Sequence, residues 1–359
     1  MKRGSKIAAA AAAIPLLGLV IAWSGLVPLG ASSGHFALTR WLVESTKRRT
    51  VKARSLSTPM EGAKKTLDDP AQIRLGAGYF QIGCRSCHEP PGAEPARALR
   101  YMLPRPAHLV DRVGLWEPEE LFWIVRHGLK FTGMPGWPSQ GREDEVWAVV
   151  SFLRRMPEMD VAEYRQVAGL DLEPPEDAPR SFATCVRCHG VEGESRGATS
   201  PRLAGQSTAY LEEALNAYAS GRRFSGIMET VAAALSEGER AELARYLGEL
   251  PEPPPGEVLD LEAVERGRKI ALRGVPEKKI PSCADCHGPT TLTRKPAYPH
   301  LAGLSRSYIE LQLALFRGGR RGGSPYARLM NPVARHLSKE EAEDVAHYYA
   351  SLSRRIPGQ

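Results

Sequence analysis

No cysteine in this chain stands alone. The six that occur among 359 residues fall into three pairs of one shape, so none is left for a disulfide. Charge is missing altogether from Ile7 to Thr39, which excludes an ordinary solvated N-terminal arm. Apolar/polar alternation of useful length is missing throughout, which excludes a core built from sheet. Outside the first sixty residues there is no basic excess either. Residues 1–60 hold nine Lys/Arg against Glu44 alone, so the +7 of the whole chain leaves the other 299 residues at −1. The high isoelectric point therefore belongs to the N-terminal segment, and nucleic acid is not implied as a partner. Methionine is scarce: Met228 is the only one in 170–255 and Met330 the only one in 256–359.

What is present is a threefold motif. Cys84-Cys87-His88, Cys185-Cys188-His189 and Cys283-Cys286-His287 each read C-x-x-C-H, the pattern of covalent haem c attachment. Two thiols three positions apart can form thioethers with the two vinyl groups of one haem, and the next residue places an imidazole under the iron. A zinc site needs a second ligand pair at a longer spacing. A thioredoxin-like redox pair needs neither the fused His nor three copies. Three covalently bound haems are expected, with the six cysteines binding the cofactors and His88, His189 and His287 ligating iron.

The N-terminus carries Lys2, Arg3 and Lys6 ahead of the uncharged stretch. Its apolar part, Ile7 to Leu29, is long enough to span a bilayer with some tilt, whereas a cleaved signal peptide has an apolar run of only about 7 to 15 residues. An uncleaved membrane anchor is expected, with Gly30-Ala31-Ser32 as the rival cut site. Either way the bulk is exported, which puts the haem domains on the periplasmic face of a bacterial inner membrane. Lys47 to Arg54 reads as a basic stretch facing solvent or headgroups.

A chain of this length fits several domains of roughly 100 to 150 residues. Pro/acid breaks at Leu172 to Asp177 and Pro251 to Gly256 read as linkers. They divide the chain into an anchor and basic linker (1–60) and three units (61–169, 170–255, 256–359), each with one motif. The last two units repeat each other: Pro201-Arg202-Leu203-Ala204-Gly205 matches Pro299-His300-Leu301-Ala302-Gly303, and Gly221-Arg222-Arg223 matches Gly319-Arg320-Arg321. Met228 and Met330 follow, and eight residues later Ser236/Glu239 and Ser338/Glu341 read as capping boxes opening a helix. Those helices place Leu243, Leu247 and Leu250, or Val345, Tyr349 and Leu352, on one face; Val146, Val150 and Leu153 do the same in the first unit. The fold class is all-α, and each unit is small enough for the haem to supply much of its apolar bulk. The second unit has only a short helix before its motif, Glu176 to Ala183, interrupted by Pro179, and is expected to lean on a neighbour.

The sixth ligand decides the chemistry: His plus Met gives a closed, high-potential electron carrier, and an open position permits catalysis. Met228 and Met330 are the expected ligands of the second and third irons, against the bland reading of gap-filling core methionines; His300 and His336 are rivals in the third unit. In the first unit Met134, within Thr132-Gly133-Met134-Pro135-Gly136-Trp137, is favoured over Met102, Met156 and Met159. His108 and His127 are its histidine rivals.

These residues identify a resemblance to class I c-type cytochromes. Residues 170–359 resemble the tandem di-haem cytochrome c4 family through P-x-L-A-G, the helix after it, the Gly/Arg turn and the Met. Residues 1–169 are similar to membrane-anchored mono-haem cytochromes through Gly76-Ala77-Gly78-Tyr79, Leu121 to Gly128 and Gly133-Met134-Pro135. The resemblance implies that a proline carbonyl accepts the axial His N–H. Pro201 and Pro299 match that place, while Pro104 and Pro106 both remain open in the first unit. It also implies redox protein partners and a relay of electrons from a membrane donor, either a quinol-oxidising complex or a dehydrogenase, to a terminal oxidase or soluble carrier. The alternatives are the cytochrome subunit of a larger dehydrogenase and a haem enzyme such as a peroxidase or sulfur-compound oxidase. Net charges of −1, −6 and +6 on the three units suggest that the last two pack by charge complementarity.

Overall fold

The computed structural model describes residues 2–27, 30, 34–60, 66–197, 199–251, 260–288 and 295–352. Both linkers expected from sequence lie partly outside these residues. Among the described residues the only strand-like feature is one isolated bridge, Val275 to Ile280, and the fold is all-α.

Two helices precede the first motif. α1 (Lys2–Trp23) ends where Gly25 turns at φ +74°. The transmembrane helix expected over Ile7 to Leu29 is therefore not found as one element, and among the described residues no helix is long and apolar enough to cross a membrane. The side chains described on α1 are exposed, Ile14 at 74% and Leu17 at 60%. α2 (Ala37–Ser55) contains the basic stretch Lys47 to Arg54. Val51 and Ser55 are buried and the helix packs on α5, so this stretch is a docked helix with its cations facing outward.

The first unit is built from α3 (Pro70–Gly83), α4 (Leu109–Arg112), α5 (Pro118–His127), α6 (Glu143–Arg155) and α7 (Val161–Val167). Asp69 caps α3 through the Ala71 N–H, and Pro70 sits at the first helical position, where its missing N–H costs nothing. The core gathers Phe80, Phe122, Val146, Val150, Phe152 and Leu153. Met156 and Met159 are buried here as well, at the end of α6 and just after it.

The second unit holds α8 (Val186–His189), α9 (Thr208–Ala219), α10 (Met228–Ala233) and α11 (Glu237–Glu249). The short helix expected over Glu176 to Ala183 is a 3₁₀ turn, Arg180–Thr184, with Pro179 just before it; in a helix interior a proline would cost a hydrogen bond. The neighbour on which the unit leans is α3, which lies against α8.

The third unit runs through α12 (Leu261–Arg273), α13 (Ala284–His287), α14 (Arg306–Arg317), α15 (Ala327–His336) and α16 (Lys339–Ser351). Both expected capping boxes form, at Ser236/Glu239 and Ser338/Glu341, and a further one forms at Glu117/Glu120. The first and third units share a tight crossing of their terminal helices, α3 on α6 and α12 on α16. A Cβ on Gly76 or Gly267 would come within 1.9 Å of the carbonyl oxygen of Ala148 or Asp344, so only glycine permits these approaches.

Candidate haem sites

Each C-x-x-C-H folds as one helical turn in which the His N–H returns to the carbonyl of the first Cys at 2.9 Å, in all three motifs. The turn leaves the His189 and His287 imidazoles buried and that of His88 half-buried. In the second and third units it is a short helix, α8 or α13; in the first it is the hydrogen-bonded turn after α3.

The ring nitrogens divide the same way in every unit. His189 Nδ1 donates to the Pro201 carbonyl at 3.0 Å and His287 Nδ1 to that of Pro299 at 3.0 Å, as the resemblance implies. His88 Nδ1 lies 2.9 Å from the Ala107 carbonyl, so neither Pro104 nor Pro106 provides the acceptor, although Pro106 is adjacent. With Nδ1 bonded, Nε2 remains for a metal. Burial pushes the pKa of His189 and His287 down, which favours the neutral ring that a metal ligand needs. Burial also pushes Cys84 and Cys185 up to about 12, and Cys188 and Cys283 to about 11, as expected for thiols in apolar clefts.

Cys185, Cys188, His189 and Met228 line one cavity of about 810 Å³, together with Leu203, Leu243 and Leu247. Cys283, Cys286, His287 and Met330 line a larger one of about 1870 Å³ that opens to solvent. In both, attachment residues and the methionine converge on a mainly apolar cleft, and the residues fit a covalently attached haem. His189 and Met228 also line the larger cavity, so the two clefts adjoin.

In the first unit, Met134 lies on the loop after α5. The Leu129 N–H donates to its carbonyl at 3.2 Å, its own N–H donates to Thr132 Oγ1 at 3.1 Å, and the Trp137 N–H returns to Arg126 at 3.0 Å. Met102 lies beside this loop: a Cβ on Gly133 would be 3.0 Å from its Cε. The rival histidines have other partners. His108 pairs with Asp111 at 2.9 Å, and His127 packs on the Trp123 ring at 5.0 Å. His300 sits in the seam between the second and third units, its Nδ1 3.3 Å from the Gly205 carbonyl.

That seam is built from hydrogen bonds more than from opposed charges. Gln206 both donates to the His300 carbonyl (3.0 Å) and accepts from its N–H (2.8 Å). Arg223 reaches Tyr308 at 3.3 Å and Tyr210 at 3.4 Å, and Arg321 reaches Tyr210 at 3.3 Å. Burial alone would raise the Tyr210 phenol; the two guanidiniums bring it down to about 8.

Sequence reasoning missed Glu145. It stands in the first turn of α6 beside Glu143 and Asp144, where acids are ordinary, yet it is 1% exposed. It accepts from Trp137 Nε1 (2.9 Å), Ser225 Oγ (2.5 Å) and the Gly226 N–H (2.7 Å), and it pairs with Arg142 at 2.9 Å. Burial pushes its carboxyl up, with Arg142 opposing that shift.

Two family models match the chain: cytochrome c oxidase, cbb3-type, subunit III over residues 71–153, and cytochrome c over 176–251. The chain is similar to the thiosulfate dehydrogenase electron acceptor of Stutzerimonas stutzeri, 38% identical over 49% of this chain and 82% of that one. It is also similar to a cytochrome c4 of Pseudomonas aeruginosa, 31% identical over 47% and 84%. Among solved structures, a cytochrome c4 of Acidithiobacillus ferrooxidans matches at 34% identity and a TM-score of 0.43, covering 47% of this chain and 98% of that one.

Proposed function

Because the chain belongs to the class I c-type cytochromes, with a di-haem c4-like segment, and is an electron carrier with covalently bound haem c, we propose that it is a tri-haem relay working at the periplasmic face of a bacterial inner membrane. The observation that carries this reading is the threefold repetition of one geometry: a C-x-x-C-H turn whose His Nδ1 is engaged by a backbone carbonyl. Haem supplies the one-electron couple when bound. The protein's part would be to supply His88, His189 and His287 together with Met134, Met228 and Met330 as iron ligands, and to keep water off the ring with apolar walls. A Met/His pair raises the potential and closes the iron to exogenous ligands, which suits transfer over catalysis.

The donor we favour is a dehydrogenase, since a relative of this chain carries the name of a thiosulfate dehydrogenase electron acceptor. The chain would then be either a free-standing relay or the dehydrogenase's cytochrome subunit. The apolar stretch beginning at Ile7 is proposed as a membrane anchor on the strength of its missing charge and the exposed aliphatic side chains of α1. Retention in carbonate-washed membranes, lost on deleting residues 1–29, is the expected result for an anchor; a chain that washes off sinks it.

The relay is tested by haem stoichiometry and by spectra of the oxidised and reduced protein with carbon monoxide. Three haems per chain are expected, none binding carbon monoxide, with the weak far-red sulfur-to-iron band falling in each of Met134→Ala, Met228→Ala and Met330→Ala. A wild-type iron that binds carbon monoxide readily would bring the enzyme reading forward.

A further inference from the structure

The second haem cleft is not made by the second unit alone. Tyr79, Arg142 and Glu145 from the first unit and Tyr308 and Gln312 from the third line it beside Cys185, Cys188, His189 and Met228. The first unit grips the segment just before Met228. Arg142 Nη1 donates to the Phe224 carbonyl at 2.9 Å, Glu145 takes the Ser225 hydroxyl and the Gly226 N–H, and Ile227 is buried in the first unit's core. Gly226 lies flat under the Trp137 indole, where a Cβ would be 2.4 Å from Nε1. Ser225 completes the chain of contacts: while its hydroxyl donates to Glu145, its oxygen accepts from the Met228 N–H at 3.0 Å and the Ile227 N–H at 3.4 Å.

We propose that Glu145 is a positioning residue for the second haem: acting through Ser225, it fixes the backbone that presents Met228, so the first unit sets the reduction potential of an iron held by the second. This rests on Met228 being the ligand. A carboxylate bonded to four donors is a rigid anchor, since moving any one of them leaves a buried charge undersatisfied. Partners outside the ligand set that orient a ligand tune the metal through it. Trp137 lies three residues after Met134, so the same carboxylate also braces the loop carrying the first unit's methionine, and the Tyr79 ring, 6.3 Å from that of Trp137, lines the second cleft.

The test uses the full-length holoprotein. Ser225→Ala, Glu145→Ala and Glu145→Gln are compared by redox titration and by the far-red sulfur-to-iron band. Glu145→Ala and Ser225→Ala should lose the second haem's share of the band and lower one midpoint, with the third haem unmoved. Glu145→Gln, which keeps an oxygen acceptor for Ser225 but sets an NH2 against the Trp137 and Gly226 donors, should recover the band only in part. If Glu145→Ala does not fold, Ser225→Ala still decides, because it removes the link without unpairing Arg142. Intact bands and unmoved midpoints in the alanine variants overturn the proposal. Met228→Ala is run alongside: a band it leaves intact overturns the ligand reading and this one together, whereas a band lost there and kept in Ser225→Ala overturns the positioning role alone.

Discussion

Glu143 of the first unit accepts from Arg320 of the third at 2.7 Å while also pairing with Arg126 of its own. Arg320 donates as well to the Gly141 carbonyl at 3.2 Å, so the two outer units touch directly, past the middle one. Burial by itself would raise the Glu143 carboxyl, but Arg126 and Arg320 bring it below its ordinary value. A depressed folded pKa contributes stability that is present above the unfolded value and lost as pH falls through the folded one. Arg320→Ala should therefore lower the melting temperature slightly at neutral pH, for a contribution of at most about 1 kcal/mol from so exposed a pair. The difference from wild type should shrink in acid, below the carboxylate range, to what the Gly141 contact contributes, and shrink in high salt. A gap that persists unchanged in acid would show that Glu143 is not what Arg320 serves.

The glycine crossings give a sharper test. Gly76→Ala and Gly267→Ala each push a methyl into a backbone carbonyl at 1.9 Å, where no side chain can swing aside. Each should destabilise its own unit by about 3 kcal/mol. Gly238→Ala, in α11 with open space around it, should be neutral or stabilising by up to about 1 kcal/mol. Denaturant unfolding followed by circular dichroism distinguishes them.

Most of what could be read from the sequence was local. A capping box is four residues of chemistry, and Ser236/Glu239 and Ser338/Glu341 form as spelled. The Pro201 and Pro299 acceptors were readable for a similar reason, each lying twelve residues past its histidine in matching repeats. The first unit's longer, proline-broken loop gave no such register, and the carbonyl of Ala107 takes the role. At its other end, the N-terminal apolar stretch read as one helix because composition does not show where a backbone turns, and Gly25 turns it.

What stayed hidden was tertiary. Glu143, Asp144 and Glu145 are indistinguishable as first-turn acids, and only the docking of Ser225 and Gly226 selects Glu145 for burial. The −6 and +6 of the last two units suggested charge-driven packing. The seam instead uses Gln206 against a backbone and guanidiniums against phenols, since net charge counts side chains without saying which of them face the partner.

If three units share the second cleft, losing its haem should cost more than losing the first. Cys185→Ser combined with Cys188→Ser should broaden calorimetric unfolding of the whole molecule, because Tyr79, Glu145, Tyr308 and Gln312 all lose the group they pack around. Cys84→Ser with Cys87→Ser should leave the unfolding of the third unit sharp. Equal damage from the two pairs would mean that the middle cleft is not shared in solution.

Gln206 offers the cleanest probe of the seam itself. Its amide meets both backbone groups of His300 across the two repeats, at 3.0 and 2.8 Å, and all of these atoms are buried. Gln206→Ala leaves a carbonyl and an N–H without that partner, at a cost of about 1–3 kcal/mol for each group left unsatisfied. Gln206→Glu keeps the acceptor for the His300 N–H but sets an oxygen against its carbonyl, and should recover little. The expected signature is an unfolding transition in which the second and third units separate into two steps, where the wild type is expected to unfold them in one. If Gln206→Ala unfolds as one step at unchanged temperature, the seam is held by its other contacts, those of Arg223 and Arg321 with the tyrosines and of Arg222 with the Gly323 carbonyl, and the next variant to make is Tyr308→Phe.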